Sequence, residues 1–133
     1  MTYPASYRYT RDHEWIDVQG DLGTVGLTDY AQCQLGDIVF VELPAAGASL
    51  EAGKSLGVIE SVKAANDIYS PVSGNVVESN GELKEAPEKI NADPHGAGWL
   101  IQVRLKDPGE LDALMDAGAY EQYVAASEKE GAD

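Results

Sequence analysis

The sequence predicts a mainly β protein, a flattened barrel or sandwich of two sheets, with short helices at its periphery and carboxyl end. Short runs rich in Val, Ile, Leu and Tyr end at glycine or proline, which is typical of strands between turns. Segments 43–56 and 77–90 also share one order of strand, turn glycine and leucine. This repeat predicts two similar half-sheets that close on each other.

Composition limits the classes to which the protein can belong. Its 133 residues, 44% of them hydrophobic, suit a single domain over 1–133. We expect the core over about residues 7–106 and a helical segment over about 107–127. The formal net charge of −14 repels phosphate backbones and anionic lipids, so we expect neither nucleic acid nor a membrane as partner.

Two features indicate the compartment. The amino terminus has no apolar stretch of the secretion-signal kind, and no apolar run approaches the roughly 20 residues that span a bilayer. Cys33 is the only cysteine, so no disulfide can form within the chain. We therefore expect a soluble cytoplasmic protein in which Cys33 is a small, partly buried packing residue.

The first elements are predicted from turn and cap signals. Glu14–Gln19 and Leu22–Leu27 carry large apolar residues and flank a Gly-Asp turn, which indicates a hairpin. Thr28 then precedes a segment of helical composition, 30–35, and Gly36 follows it. We expect a helix of one or two turns, capped by Thr28 and ended by Gly36.

The centre of the chain predicts a central strand and a hairpin. Residues 37–43 form a continuous β-branched run that ends at a proline, which favours a strand buried on both faces. The apolar run 56–59 and the segment 67–74, which contains Ile, Tyr and Val and is punctuated by Pro71 and Gly74, lie on either side of residues 60–64. Lys63 is therefore expected at a hairpin tip, exposed to water.

The carboxyl third predicts a strand followed by helices. After a loop at 91–98, residues 99–105 alternate as a strand does. Asp107 and Pro108 are typical of a helix start, and apolar residues at helical spacing follow. We expect Gly118 to end this helix and a second helix to follow it.

The sequence contains none of the usual catalytic or metal-binding motifs, such as a phosphate-binding glycine loop, HExxH, CxxC or GxSxG. His13 and Glu14 are adjacent, so in a strand they would point to opposite faces and could not share a metal. His95 lies in a glycine-rich loop, where we expect a solvated or hydrogen-bonded residue. We predict no catalytic residue and no metal site.

Lys63 is the remaining candidate for chemistry. A Schiff-base lysine would need a desolvated pocket, and a hairpin tip does not supply one. An attachment point for an acyl cofactor instead requires exposure, so that a modifying enzyme can reach the amine. Glu60, Val62 and Ala64 place a charge, an apolar shoulder and a small side chain around it, which favours attachment over an ordinary surface lysine.

The motif around Lys63 resembles the lipoyl-lysine motif of the biotinyl/lipoyl carrier family. It consists of Glu-Ser-Val-Lys-Ala at 60–64, with Gly-Lys-Ser at 53–55 and Ser-Pro-Val-Ser-Gly at 70–74. Within that family, several segments resemble the H proteins of the glycine cleavage system, over about residues 7–123. They are Asp-His-Glu-Trp at 12–15, Gly-Leu-Thr-Asp-Tyr-Ala-Gln at 26–32, Leu-Gly-Asp at 35–37, Val-Phe-Val-Glu-Leu-Pro at 39–44 and Gly-Trp-Leu at 98–100.

The resemblance implies a barrel-sandwich hybrid fold and a non-catalytic carrier with one lipoate in amide linkage to Lys63. The lipoyl arm of such carriers accepts an aminomethyl group from glycine at a pyridoxal-phosphate glycine decarboxylase. An aminomethyltransferase passes the group to tetrahydrofolate, and dihydrolipoamide dehydrogenase, an FAD enzyme, reoxidises the arm. The implied partners are these three enzymes and the lipoate-attaching enzymes, and we expect a monomer.

The resemblance also implies roles for individual residues. Glu60 and Gly74 match positions that lipoate-attaching enzymes read, by charge and by turn shape. Glu14 and Asp67 match acidic positions lining a cleft for the loaded arm. Gln34 is implied in the same cleft. It stands where some H proteins have a histidine, so the proton-handling role of that histidine does not carry over, although Gln34 can still hydrogen-bond.

Several alternatives stay open on the sequence. The nearest is the lipoyl domain of a 2-oxoacid dehydrogenase complex, although such domains lack the His-Glu-Trp segment. An H-like protein that relays lipoyl groups to other acceptors is a second. A cofactor-free acidic β-sandwich that binds a partner is a third, and in it Lys63 would stay unmodified.

Overall fold

The computed structural model describes residues 3–131. Within them, nine strands form two antiparallel sheets. The strands are β1 (Arg8–Tyr9), β2 (Glu14–Gln19), β3 (Leu22–Leu27), β4 (Ile38–Glu42), β5 (Ser49–Leu50), β6 (Ser55–Ser61), β7 (Ala65–Tyr69), β8 (Gly74–Ser79) and β9 (Ile101–Leu105). The larger sheet has the order β1-β2-β3-β9-β8-β5, and the smaller has the order β4-β6-β7.

Short helices surround the sheets. The α-helices are α1 (Asp29–Leu35), α2 (Lys89–Ala92) and α3 (Ala117–Gly131), and two 3₁₀ helices span Gly81–Lys84 and Pro108–Ala113. No helix of the described residues is long and apolar enough to cross a membrane.

The core lies between the two sheets. Ile16 and Val25 of the larger sheet belong to one buried cluster with Ile59 and Ile68 of the smaller sheet. A second cluster joins Tyr9 and Trp15 to α3 and is mainly aromatic; its other buried members are Tyr120 and Val124. Two sheets that share one core, with helices outside, confirm the predicted barrel-sandwich fold class.

Elements with local signals form where the sequence predicts them. The β2–β3 hairpin pairs Asp17 with Thr24 and turns at Gly20, whose φ is +67°. In α1, the Thr28 hydroxyl accepts from the Ala31 N–H, and the Gly36 N–H donates to the carbonyl of Gln32 at a φ of +79°. Both caps therefore act as expected.

The prediction that residues 37–43 form a strand buried on both faces is wrong. β4 is an edge strand that pairs only with β6, and its register shifts between Ile38 and Phe40. Val39 is 53% exposed and Phe40 is 47% exposed. The continuous apolar run reflects a strand whose side chains lie in part on the surface.

The internal repeat does not produce two half-sheets. Segment 43–56 contains β5 and the start of β6, whereas segment 77–90 continues from β8 into the 3₁₀ helix Gly81–Lys84 and into α2. The Asn80 side chain accepts from the Glu82 N–H and starts this helical turn. A shared turn signal thus precedes a strand in one copy and a helix in the other.

The carboxyl end differs from the prediction in detail. Asp107 caps as expected, by accepting from the Gly109 N–H, but the helix that follows is 3₁₀. Gly118 lies inside α3 rather than between two helices, and α3 continues through Gly131. Cys33 is exposed on α1 and is not the partly buried residue that we expected.

Candidate functional site

Lys63 lies at the exposed tip of the β6–β7 hairpin, as predicted. Ser61 fixes the turn, since its Oγ accepts from the N–H groups of Lys63 and Ala64, at 3.2 Å each. The Ser61 N–H donates to the Ala64 carbonyl at 2.8 Å. The backbone of the tip is therefore ordered, while the side chains of Lys63 and Val62 are exposed, Val62 to 68%.

The tip is supported by the segment that joins α1 to β4. The Val62 N–H donates to the Asp37 carbonyl at 3.0 Å. A Cβ at Gly36 would lie 3.4 Å from Lys63 Cε, so the lysine stem passes close to the glycine backbone. We call this support, residues 36–38, the platform.

Asn91 holds the platform. Its Oδ1 accepts from the Ile38 N–H at 2.9 Å, and its Nδ2 donates to the Gly36 carbonyl at 2.8 Å and to Gln32 Oε1 at 3.0 Å. Neither Asn91 nor Ser61 is among the site residues predicted from the sequence. A serine two residues before a turn lysine is a recognisable turn signal, but nothing local points to Asn91, which is 53 positions from Ile38.

A cleft of about 330 Å³ lies beside the hairpin and brings together the three residues that the resemblance implies. Glu14, Gln34 and Asp67 all line it, from β2, α1 and β7 respectively. Asp67 is four residues beyond Lys63, so at most about 14 Å of chain separates them. A larger groove of about 650 Å³, next to β4 and the 3₁₀ helix Gly81–Lys84, contains none of these residues.

Glu14 is the buried carboxyl of this cleft, at 2% exposure. The Thr10 hydroxyl donates to its Oε1 at 2.7 Å, and the Tyr69 N–H donates to its Oε2 at 3.2 Å. Burial outweighs these bonds and raises the pKa of Glu14 to about 7. Asp67 and Gln34 are exposed, and the Ser55 hydroxyl donates to Asp67 Oδ1 at 3.3 Å.

His13 lies in the same cleft, which corrects our expectation that it faces away from Glu14. Its φ is +70°, and it precedes β2, so the alternation of a strand does not apply to it. Its Nδ1 lies 2.8 Å from the Tyr120 hydroxyl, and burial lowers its pKa. Among the described residues, no group of three or more His, Cys, Asp or Glu side chains is placed to hold a metal ion.

His95 is a hydrogen-bonded loop residue, as predicted. Its Nε2 accepts from the Asp29 N–H at the start of α1, at 3.1 Å, and its own carbonyl accepts from the Tyr7 hydroxyl. Burial lowers its pKa, which keeps the ring neutral and able to accept.

Glu60 and Gly74 lie on different sheets. Glu60 is exposed on β6, three residues before Lys63. Gly74 is buried at the start of β8, where a Cβ would collide with the Arg104 carbonyl oxygen of β9. Residue 74 must therefore be glycine because β8 and β9 approach closely there, and not because the chain turns.

The chain is similar to known proteins in sequence and in structure. A family model described as "Glycine cleavage H-protein" matches residues 7–127. The chain belongs to this family. Relatives named glycine cleavage system H protein include one from Acidobacterium capsulatum, 58% identical over 93% of this chain and 95% of its own length. Another, from Caulobacter vibrioides, is 57% identical over 88% of this chain and 97% of its own length.

A solved structure shows the same likeness. The crystal structure of a glycine cleavage system H protein from Mycobacterium marinum superposes with a TM-score of 0.83 at 40% identity. The match covers 95% of this chain and 99% of that chain. The resemblance stated from the sequence motifs is thereby confirmed.

Proposed function

We propose that this protein is the lipoyl-carrying shuttle of the glycine cleavage system, with lipoate in amide linkage to Lys63. The observation that carries the proposal is the exposed Lys63 at an ordered hairpin tip, in a chain that belongs to the H-protein family. An exposed lysine on an ordered backbone suits an enzyme that must bring its active site to the amine.

The residues at the tip fit an attached acyl group. Lys63 is exposed, and its neighbours Val62 and Ala64 are exposed too, so an amide at its Nζ meets no steric obstacle within the hairpin. When bound, lipoate supplies a dithiolane on a flexible arm, which can be reduced and can carry an aminomethyl group between enzymes. The chain itself then acts as a carrier and needs no catalytic residue.

We propose that the cleft holds this cargo between visits to the enzymes. An aminomethyl amine is cationic near neutral pH, and Glu14 and Asp67 place two carboxyl groups in the cleft. A cation beside the buried Glu14 favours its ionised form and gives a charge-assisted contact in a site of low dielectric constant. Gln34 can add a hydrogen bond from its amide.

The partners follow from the same proposal. We propose glycine decarboxylase, aminomethyltransferase, dihydrolipoamide dehydrogenase and the lipoate-attaching enzymes, met by a monomer in the cytoplasm. Glu60, exposed on the strand that leads to Lys63, is suited to be read by an attaching enzyme. Packing against β9 explains why residue 74 is glycine. Recognition of Gly74 by the lipoate-attaching enzymes stays a proposal.

Attachment is tested by mass spectrometry of the purified protein after incubation with lipoate, ATP and a lipoate-attaching enzyme. We expect a single lipoyl group, on the peptide that contains Lys63. Lys63→Arg should abolish it, whereas Lys54→Arg, at another exposed lysine, should retain it. A group on another lysine, or no group in the wild-type protein, would refute the proposal.

The cleft is tested by release of the cargo. The lipoylated protein is loaded by glycine decarboxylase and glycine, and release of ammonia is followed after the enzyme is removed. We expect release to be about tenfold faster in Glu14→Gln and in Asp67→Asn, because each loses a charged contact. Glu78→Gln, exposed and outside the cleft, is the control. Wild-type rates in both cleft variants would remove the role of the cleft.

A further inference from the structure

The loop that carries Glu14 is closed by its own hydrogen bonds. The Thr10 hydroxyl oxygen accepts from the N–H groups of Asp12 and Glu14, at 3.2 and 3.1 Å, and the same hydroxyl donates to Glu14 Oε1. The Thr10 N–H donates to the Glu14 carbonyl at 2.9 Å. The carboxyl group and the side chain that orients it thus belong to one small unit, residues 10–14, which we call the acid loop.

His13 gives the acid loop its shape. Its φ of +70° makes it the only non-glycine residue with a positive φ among the described residues. This conformation is unfavourable for a residue with a Cβ and persists only where surrounding contacts hold it.

Those contacts come from α3 and from the cap of α1. The His13 ring binds the Tyr120 hydroxyl at 2.8 Å, and that hydroxyl lies 2.7 Å from the Thr28 Oγ1. The His13 carbonyl accepts from the Thr28 N–H at 3.0 Å. Tyr120 and Thr28 are both fully buried, so these bonds are shielded from water.

The order of the protons along this chain can be assigned. The Thr28 oxygen already accepts from the Ala31 N–H, and its single hydroxyl proton has the Tyr120 oxygen as its acceptor. The Tyr120 proton is then donated to Nδ1 of a neutral His13. The reverse order would leave the buried Thr28 proton without an acceptor, which is costly.

We propose that His13 is a positioning residue through which Tyr120 of α3 sets the acid loop and α1 as two walls of the cleft, and so controls docking of the carried amine. The proposal rests on the proposed function of the cleft. Glu14 stands on the first wall and Gln34 on the second, and none of the α3 residues whose side chains the structure describes, 117–127, lines the cleft itself. The effect of α3 is therefore indirect, through the hydrogen-bonded chain from Tyr120.

The experiment compares three variants. Tyr120→Phe removes the hydroxyl and keeps the packing of the ring. His13→Gly removes the ring and permits the positive φ. Tyr9→Phe is the matched control, since Tyr9 is equally buried and stacks on Tyr120 at 4.7 Å, but its hydroxyl donates to the Pro4 carbonyl, away from the acid loop.

Two quantities are measured on each variant. One is the release rate of the loaded, lipoylated protein, and the other is the ¹³C NMR titration of the Glu14 carboxyl group in the unmodified protein. For Tyr120→Phe and His13→Gly we expect release about fivefold faster, the factor that corresponds to one ordinary hydrogen bond. We also expect the Glu14 titration midpoint to fall by about half a unit as water enters the loop. The double variant should release no faster than either single variant.

The outcomes separate this inference from the function of the cleft. If Glu14→Gln speeds release but Tyr120→Phe matches Tyr9→Phe in both measurements, His13 does not position the cleft, although the cleft function stands. If Glu14→Gln and Asp67→Asn both leave release unchanged, the cleft function fails, and the Glu14 titration in Tyr120→Phe alone decides the positioning. If His13→Gly does not fold, the two measurements on Tyr120→Phe still decide the inference.

Discussion

Glu14 and the two histidines give the stability of the protein opposite dependences on pH. Burial raises the pKa of Glu14 from 4.5 to about 7, so between these values the folded chain holds a proton that the unfolded chain has lost. The contribution of Glu14 to the free energy of unfolding therefore falls as pH rises through that range. Burial lowers the pKa of His13 and of His95 below 6.5, so their contribution falls as pH drops below 6.5.

Replacing Glu14 with Gln should remove the pH dependence that comes from Glu14 and leave the one that comes from the histidines. Relative to the wild type, we expect the free energy of unfolding of Glu14→Gln to rise by about 2 kcal/mol between about pH 5 and about pH 8. Urea denaturation at several pH values, at one ionic strength, measures this. Parallel curves for the two proteins would show that Glu14 ionises without cost in the fold.

The places of some site residues can be predicted from the sequence, and the contacts of others cannot. Lys63 follows from local signals, because a hairpin tip is specified by the residues next to it. The bond between His13 and Tyr120 joins positions 107 apart, and the hold of Asn91 on the platform joins positions 53 apart. Such contacts exist only once the sheets have packed, so no local pattern encodes them.

At the scale of elements, predictions succeed where the residues of one segment specify where a helix or hairpin begins and ends. α1 has a cap residue and an ending glycine, and the β2–β3 hairpin has a turn that fixes its register. The prediction for β4 is wrong because an apolar run does not reveal how many strands flank it, and this strand lies at a sheet edge. The 3₁₀ helix Pro108–Ala113 shares its cap signal with an α-helix.

The close approach of β8 and β9 makes Gly74 an element-scale test. Gly74→Ala should destabilise the protein by about 3 kcal/mol, because its Cβ would collide with the Arg104 carbonyl and push the strands apart. Gly81→Ala is the control, since a Cβ there has nothing within 4 Å. Thermal unfolding of both variants measures the difference. Equal melting temperatures would mean that the strands separate without cost.

Over the whole molecule, acidic charge is poorly compensated. The chain has 23 Asp and Glu residues against 9 Lys and Arg residues. Two ion pairs occur among the described residues, Lys89 with Glu82 at 2.8 Å and Arg104 with Asp21 at 3.0 Å. Both are at the surface, where such pairs contribute little. Most of the Asp and Glu side chains therefore repel one another in the folded state.

This imbalance predicts that salt stabilises the fold. Raising NaCl from about 10 mM to about 200 mM shortens the screening length to roughly the spacing of surface charges, which weakens the repulsion. We expect the free energy of unfolding to rise by about 1 kcal/mol. KCl should act equally, because screening depends on ionic strength and not on the cation. A stability that falls with NaCl, or that rises with one cation alone, would show that particular ion pairs or a bound cation outweigh the net charge of −14.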